Sequence, residues 1–228
     1  MARRGLDENL NLLTDKLVAM STLVADATSA AIAALVAGSV EQARRVKVLD
    51  DPIDDAEAEI DDLCVDLMRR EAPLARDLRH VLASLKIASE LERIGDYAHG
   101  IARLTMRLNG HKPVEGIENM SAKALEMVRQ GMDLYTRDDE NVRAADAQYN
   151  RIHDADNRVD RSYDRLVVEL MNGMKGGEMT VDQGTFQLWV IHLVERIADR
   201  AENFGSIAYY MSTGSRGGDR DEPEGGAG

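Results

Sequence analysis

The chain has 228 residues, with 28 Lys and Arg against 41 Asp and Glu for a net charge of −13, and is 44% hydrophobic but only 4% aromatic. That length admits one large domain or two small ones, and the aromatic-poor mix favours helices over a β-rich fold. So acidic a chain repels nucleic-acid phosphates and anionic lipid headgroups and disfavours strong phosphate binding by the protein itself, while suiting cations and basic partners. One cysteine, Cys64, excludes an internal disulfide and reads as a small buried apolar residue. Met1 to Leu13 lacks the apolar core of a signal peptide. The longest uncharged run, Ala27 to Val40, is shorter than the roughly 20 residues that span a bilayer. A soluble, cytoplasmic protein without membrane insertion is expected.

In chain order, Leu10, Leu13, Leu17, Met20, Val24, Ala27, Ala31 and Ala34 alternate in steps of three and four, the seam of a packed helix, which Gly38 and Ser39 end. A second helical pattern runs from about Val40 to Arg70 along Ala43, Val46, Asp50, Ile53, Glu57, Ile60, Cys64 and Leu67. Pro52 inside it either kinks the helix or opens a new one. A third runs from about Leu74 to Leu108, with Ile87, Leu91, Ile94, Ala98 and Ile101 as its stripe. Residues 109–116 are a turn-rich linker.

The pattern then restarts. Ile117, Met120, Ala124, Met127, Gly131 and Leu134 form a fourth seam. A fifth helix, about Asp139 to Met174, carries Ala145, Tyr149, Ile152, Asp156, Val159, Tyr163, Leu166 and Leu170. A sixth, about Thr180 to Thr213, carries Val190, Val194, Ile197, Ala201 and Phe204. The expected fold is all-α: six long helices in two tandem, pseudo-symmetric three-helix bundles, residues 6–109 and 117–213, followed by a Gly-rich polar tail at 214–228 that reads as disordered.

The repeat carries the chemistry. Glu92-Arg93-Ile94-Gly95-Asp96 recurs 103 positions later as Glu195-Arg196-Ile197-Ala198-Asp199. On the preceding helices Asp50 and Asp54 recur as Asp156 and Asp160 at an offset of 106, the difference fitting a shorter turn in the second half. With 41 acids, roughly seven i,i+4 acidic pairs arise by chance, so a lone pair carries no weight. Four pairs at matching places in two repeats do. Like charges at that spacing cost a helix about 0.2–0.5 kcal/mol, and Asp50 and Asp156 lie on apolar seams, where an ionised carboxylate needs a positive partner. Arg93 and Arg196 could supply it as a salt-bridge network. Alternatively, Asp50, Asp54, Glu92 and Asp96 hold one cation site, and Asp156, Asp160, Glu195 and Asp199 a second. All-oxygen ligands suit magnesium, manganese, calcium or oxidised iron, with more than one ion per site feasible.

His99 and His153 are secondary ligand candidates, whereas His80, His111 and His192 read as surface or packing residues, and the methionines as core. Carboxylate-x-x-His occurs once, at Asp96 and His99, but position 202 is Glu, so a di-iron bundle fails on the repeat. No activated nucleophile, phosphate loop or zinc-protease motif is present. A non-enzymatic chain is expected; a carboxylate-bridged metalloenzyme and a purely structural scaffold are the alternatives.

Pro73-Leu74-Ala75-Arg76-Asp77-Leu78-Arg79, then Glu90-Leu91-Glu92-Arg93-Ile94-Gly95-Asp96, and Leu193-Val194-Glu195-Arg196-Ile197-Ala198-Asp199 with Asn203 after it, resemble the PhoU family of phosphate-uptake regulators over about Leu6 to Gly214. The resemblance implies a six-helix, two-bundle, non-catalytic protein that binds multinuclear metal clusters of iron, zinc, magnesium or manganese through its paired acids. It further implies a frequent homodimer linking the ATPase subunit of the phosphate ABC transporter to a sensor histidine kinase, as a negative regulator of the phosphate-starvation response and of uptake.

Overall fold

The computed structural model describes residues 2–137 and 141–216; most of the tail expected to be disordered lies outside them. Among the described residues all regular structure is helical: α1 (Ala2–Ala37), α2 (Val40–Val46), a 3-10 turn (Lys47–Leu49), α3 (Asp51–Glu71), α4 (Ala75–Leu108), α5 (Ile117–Tyr135), α6 (Val142–Gly176) and α7 (Val181–Thr213). Six helical arms result, because α2, the 3-10 turn and α3 together occupy the second. Pro52 falls in the first turn of α3, where its missing N–H costs nothing, so the break lies just before it.

Local chemistry sets the other ends. Gly38 ends α1 at φ +61°, and a Cβ there would lie 3.1 Å from the Gly110 backbone, so the turn after α1 packs directly on the linker between the bundles. Asn141 caps α6 by accepting from the Ala144 N–H. Thr180 and Gln183 form a reciprocal capping box at the start of α7. Gly214 closes α7 in the left-handed conformation.

The predicted seams are the core. Every residue of the α1 stripe from Leu10 to Ala34 is buried, as are the stripes of α4, α5 and α7. On α6 the apolar run Ile152, Val159, Leu166 and Leu170 is fully buried, with Tyr149 and Tyr163 half-buried at its margin. Cys64 is buried, its Sγ 3.6 Å from the Val81 carbonyl, and burial pushes its thiol up to about 12. The segment Gly5–Ala37 is long and apolar enough, by length and composition, to cross a membrane. The longest uncharged run is shorter because Asp26 divides the apolar stretch that starts at Leu17. Its seam is buried in the bundle, as a core helix requires.

α1 packs on α3 and α4 in the first half; α5 and α6 pack on α7 in the second. The halves join mainly where α4 meets α7. These two run antiparallel. Arg107 lies over the Phe186 ring, Gly100 abuts Leu193, and Arg200 bonds Glu90, residue numbers rising on one helix as they fall on the other.

Candidate metal centres

The first centre forms where the N-terminal end of α3 meets the middle of α4. Asp50 stands at the junction of the 3-10 turn and α3, with Asp54 one turn on; Glu92 and Asp96 project from α4. Gly95 permits the approach: a Cβ there would lie 3.0 Å from Ile53 Cδ1. In the second half the motif has Ala198, and on the 106 offset the residue matching Ile53 is Val159, so a carbon gained on α7 is offset by one lost on α6.

These acids feel one another. Burial, then Asp96 and Glu57, hold Glu92 up at about 7. Burial, then Asp50 and Asp96, push Asp54 up. Burial and Asp61 raise Glu57, an acid of the α3 seam that the paired motif did not include. His99 completes the group, its Nδ1 2.8 Å from Asp50 Oδ2. Arg93 is mostly exposed and reaches only within 3.8 Å of Glu92.

The second centre repeats the plan between α6 and α7. Asp156 is buried, and desolvation followed by Glu202, Asp160 and Asp199 raises it to about 7. Burial and Asp199 raise both Asp160 and Glu195. His153 Nδ1 lies 2.6 Å from Glu202 Oε1, a bond that raises the histidine's pKa. His192 sits 3.4 Å from Glu195 Oε2, and Arg196 donates to Asp199 at 2.8 Å. The salt-bridge alternative therefore holds in part: an arginine satisfies Asp199.

Glu202 is the acid that sequence reasoning set aside. It occupies the place of His99, 103 positions on. In the first half a histidine faces Asp50. In the second a glutamate faces Asp156, the match of Asp50 at the 106 offset, and His153 supplies the imidazole from one turn earlier. The same offset carries the buried run Ile53, Ile60 and Cys64 onto the buried Val159, Leu166 and Leu170.

The structure thus brings each predicted foursome to one helix interface. Among the described residues, no three carboxylate, histidine or cysteine side chains converge closely enough to hold an ion in their present rotamers. Two carboxylate oxygens of the second centre are nevertheless left over: Asp156 Oδ1 and Glu195 Oε2 are buried without a hydrogen-bond partner among the described residues. Carboxylate oxygens left so are costly, and an oxygen-rich set with imidazole at its edge fits a hard or borderline cation. Cys64 and His80 are elsewhere. His80 lies among Thr14, Ser84 and Tyr135, accepting or donating at 3.1 Å to Thr14 and 2.9 Å to Tyr135.

Known proteins share the sequence and the fold. The PhoU domain family matches residues 17–105 and again 117–208. A phosphate-specific transport system accessory protein PhoU homolog of Rhizobium meliloti is 30% identical, covering 93% of this chain and 89% of that protein. Its counterpart in Clostridium acetobutylicum is 32% identical over 95% and 98%. The crystal structure of PhoU from Pseudomonas aeruginosa superposes with a TM-score of 0.83 at 28% identity, over 92% of this chain and 99% of that one. With the family's domain matched once in each bundle, and relatives aligned almost end to end, the chain belongs to the PhoU family.

Proposed function

We propose that the chain is a non-catalytic, metal-binding regulator of phosphate transport. Relatives are named as accessory proteins of a phosphate-specific transport system, and the solved Streptococcus pneumoniae structure as that system's regulatory protein. In this reading the chain works in the cytoplasm as a homodimer. It connects the ATPase subunit of the phosphate ABC transporter to a sensor histidine kinase, and it represses uptake and the starvation response when phosphate is plentiful. Asp50, Asp54, Glu92 and Asp96 hold one metal centre; Asp156, Asp160, Glu195 and Asp199 hold the other. The observation that carries the metal reading is the pair of buried carboxylate oxygens on Asp156 and Glu195 that lack a hydrogen bond among the described residues. A bound cation of the iron, zinc, magnesium or manganese type neutralises the carboxylates and ties α3 to α4 and α6 to α7. Small side-chain rotations bring the ligands onto it.

The test is elemental analysis of the purified protein beside a Glu92→Ala, Glu195→Ala double variant. Metal lost from the variant supports the centres; equal metal in both removes them. The regulatory half is tested separately by affinity purification from phosphate-replete cells, probing for the transporter ATPase and the sensor kinase. If neither is recovered, the adaptor reading fails even where metal is bound. A scaffold held by ion pairs is favoured by the Arg196–Asp199 bond. It predicts that chelation leaves thermal stability unchanged.

A further inference from the structure

α4 and α7 come closest at Gly100, where a Cβ would lie 2.9 Å from Leu193 Cδ1. Towards the C-terminal end of α4 a cleft of about 1030 Å³ opens beside them. Asp50, Asp96 and His99 stand at one end of it, Arg103 and Arg107 further along α4, and Trp189 on the opposite wall. The arginines lie about two and three turns beyond Asp96.

Three features of this cleft stand out, two of them gathered on Phe186, whose ring centroid lies 5.9 Å from that of Trp189 and beneath Arg107. Arg103 and Arg107 are exposed like charges at i,i+4, a spacing that costs a helix about 0.2–0.5 kcal/mol. In a chain with 41 acids against 28 basic residues, neither has a carboxylate partner among the described residues. Arg107 is held with its guanidinium carbon 5.7 Å from the Phe186 ring centroid, a stack that fixes its plane and leaves its N–H donors uncommitted. Trp189, the only tryptophan, is 51% exposed on the wall of the cleft. Such exposure of a large aromatic marks a contact surface.

The fold repeats the device. The 103 offset carries Arg103, Leu104 and Arg107 onto Ser206, Ile207 and Tyr210, and Lys86 onto Trp189. Ser206, Ile207, Tyr210 and Lys86 line a second cleft of about 560 Å³ at the other end of the α4–α7 pair, along with Arg79 and Arg216. Both clefts combine cations with one exposed aromatic. On a chain of net charge −13, the arginine end of the larger cleft, set away from Asp50 and Asp96 at the other end, is the local cationic surface that an anionic, ring-bearing ligand requires.

We propose that the larger cleft binds a nucleotide, with its phosphates on Arg103 and Arg107 and its base against Trp189. Forked guanidinium donors match phosphate oxygens, and an indole face accepts any base. The volume suits a nucleotide; a bare phosphate would leave most of the cleft and the indole unused. The overall acidity that disfavours phosphate binding is here overcome locally. The site does not depend on the metal centres, although a cation at Asp50 and Asp96 would soften the acidic end.

The probes are ATP, AMP and inorganic phosphate, titrated into the full chain with and without magnesium. Binding is followed by calorimetry and by Trp189 fluorescence, which reports this cleft alone. ATP should quench saturably and bind at least about tenfold more tightly than phosphate. An Arg103→Gln, Arg107→Gln variant should lose about tenfold or more in ATP affinity. Trp189→Ala, followed by calorimetry, should bring ATP close to phosphate, while the charge-matched control Arg44→Ala, Arg45→Ala on α2 should bind as the parent does. No saturable ATP signal from folded protein overturns the proposal. So does unchanged affinity in the arginine variant, or phosphate binding as tightly as ATP. Binding with magnesium absent, or in the metal-depleted Glu92→Ala, Glu195→Ala protein, separates this site from the metal centres.

Discussion

Two carboxyls set the molecule's acid–base behaviour. Burial and neighbouring acids hold Glu92 and Asp156 near 7, well above the ordinary 4.5 and 3.8. A carboxyl with a folded pKa above its unfolded one binds its proton more tightly in the folded protein. Its stabilising contribution is therefore complete below the unfolded pKa and lost as pH rises through the folded value. The metal-free protein should thus weaken between about pH 4 and 7. The expected loss is on the order of 1 kcal/mol for each group, after discounting for solvent screening. Chemical denaturation of chelated protein at several pH values checks it, and a stability that rises through that window would contradict the assignment. With metal bound the trend reverses, since the ligands must give up their protons.

At the scale of the helix, the stripe periodicity gave the core with few errors because burial follows the 3.6-residue repeat directly. The stripes of α1, α4, α5 and α7 all proved buried. What periodicity did not give was the break before Pro52, since a proline inside a helical pattern is compatible with either a kink or a fresh start. The candidate site was legible where the repeat was near-identical, at Glu92, Asp96, Glu195 and Asp199. It was hidden at Glu202 and Glu57, whose roles depend on which residue faces them across a helix pair. His99 and Glu202 share a register position but differ in chemistry, so matching by residue type rejected what matching by place would have kept. Packing predictions belong here too. Phe204 is fully buried with its ring 3.2 Å from where a Cβ on Gly131 would sit, so it locks α7 onto α5. Phe204→Ala should cost about 3–5 kcal/mol, read as a lower denaturant midpoint with helicity retained in the folded baseline.

At the scale of the whole molecule, two bundles with one plan are joined through α4 and α7, the helices that also carry the Glu-x-x-x-Asp halves of both centres. The centres are alike in plan and unlike in detail. Loading the first displaces one close histidine–carboxylate pair, His99 with Asp50. Loading the second meets three, His153 with Glu202, His192 with Glu195 and Arg196 with Asp199. The first should therefore fill at lower metal concentration, and calorimetric titration of chelated protein should show two steps, the weaker one strengthened by Arg196→Ala. A single step unaffected by that change would make the halves equivalent. The swap of His99 for Glu202 thereby reaches beyond the acid it displaced. A duplicated chain with identical, independent halves fills both over the same metal concentration, so its half-loaded molecules are a mixture of two equivalent forms. In the proposed metal-bound protein, the one register position that differs makes the half-loaded condition a defined one, in which the first centre is neutralised and the second still carries its charge. A partner that reads surface charge then meets three distinguishable proteins encoded by one sequence.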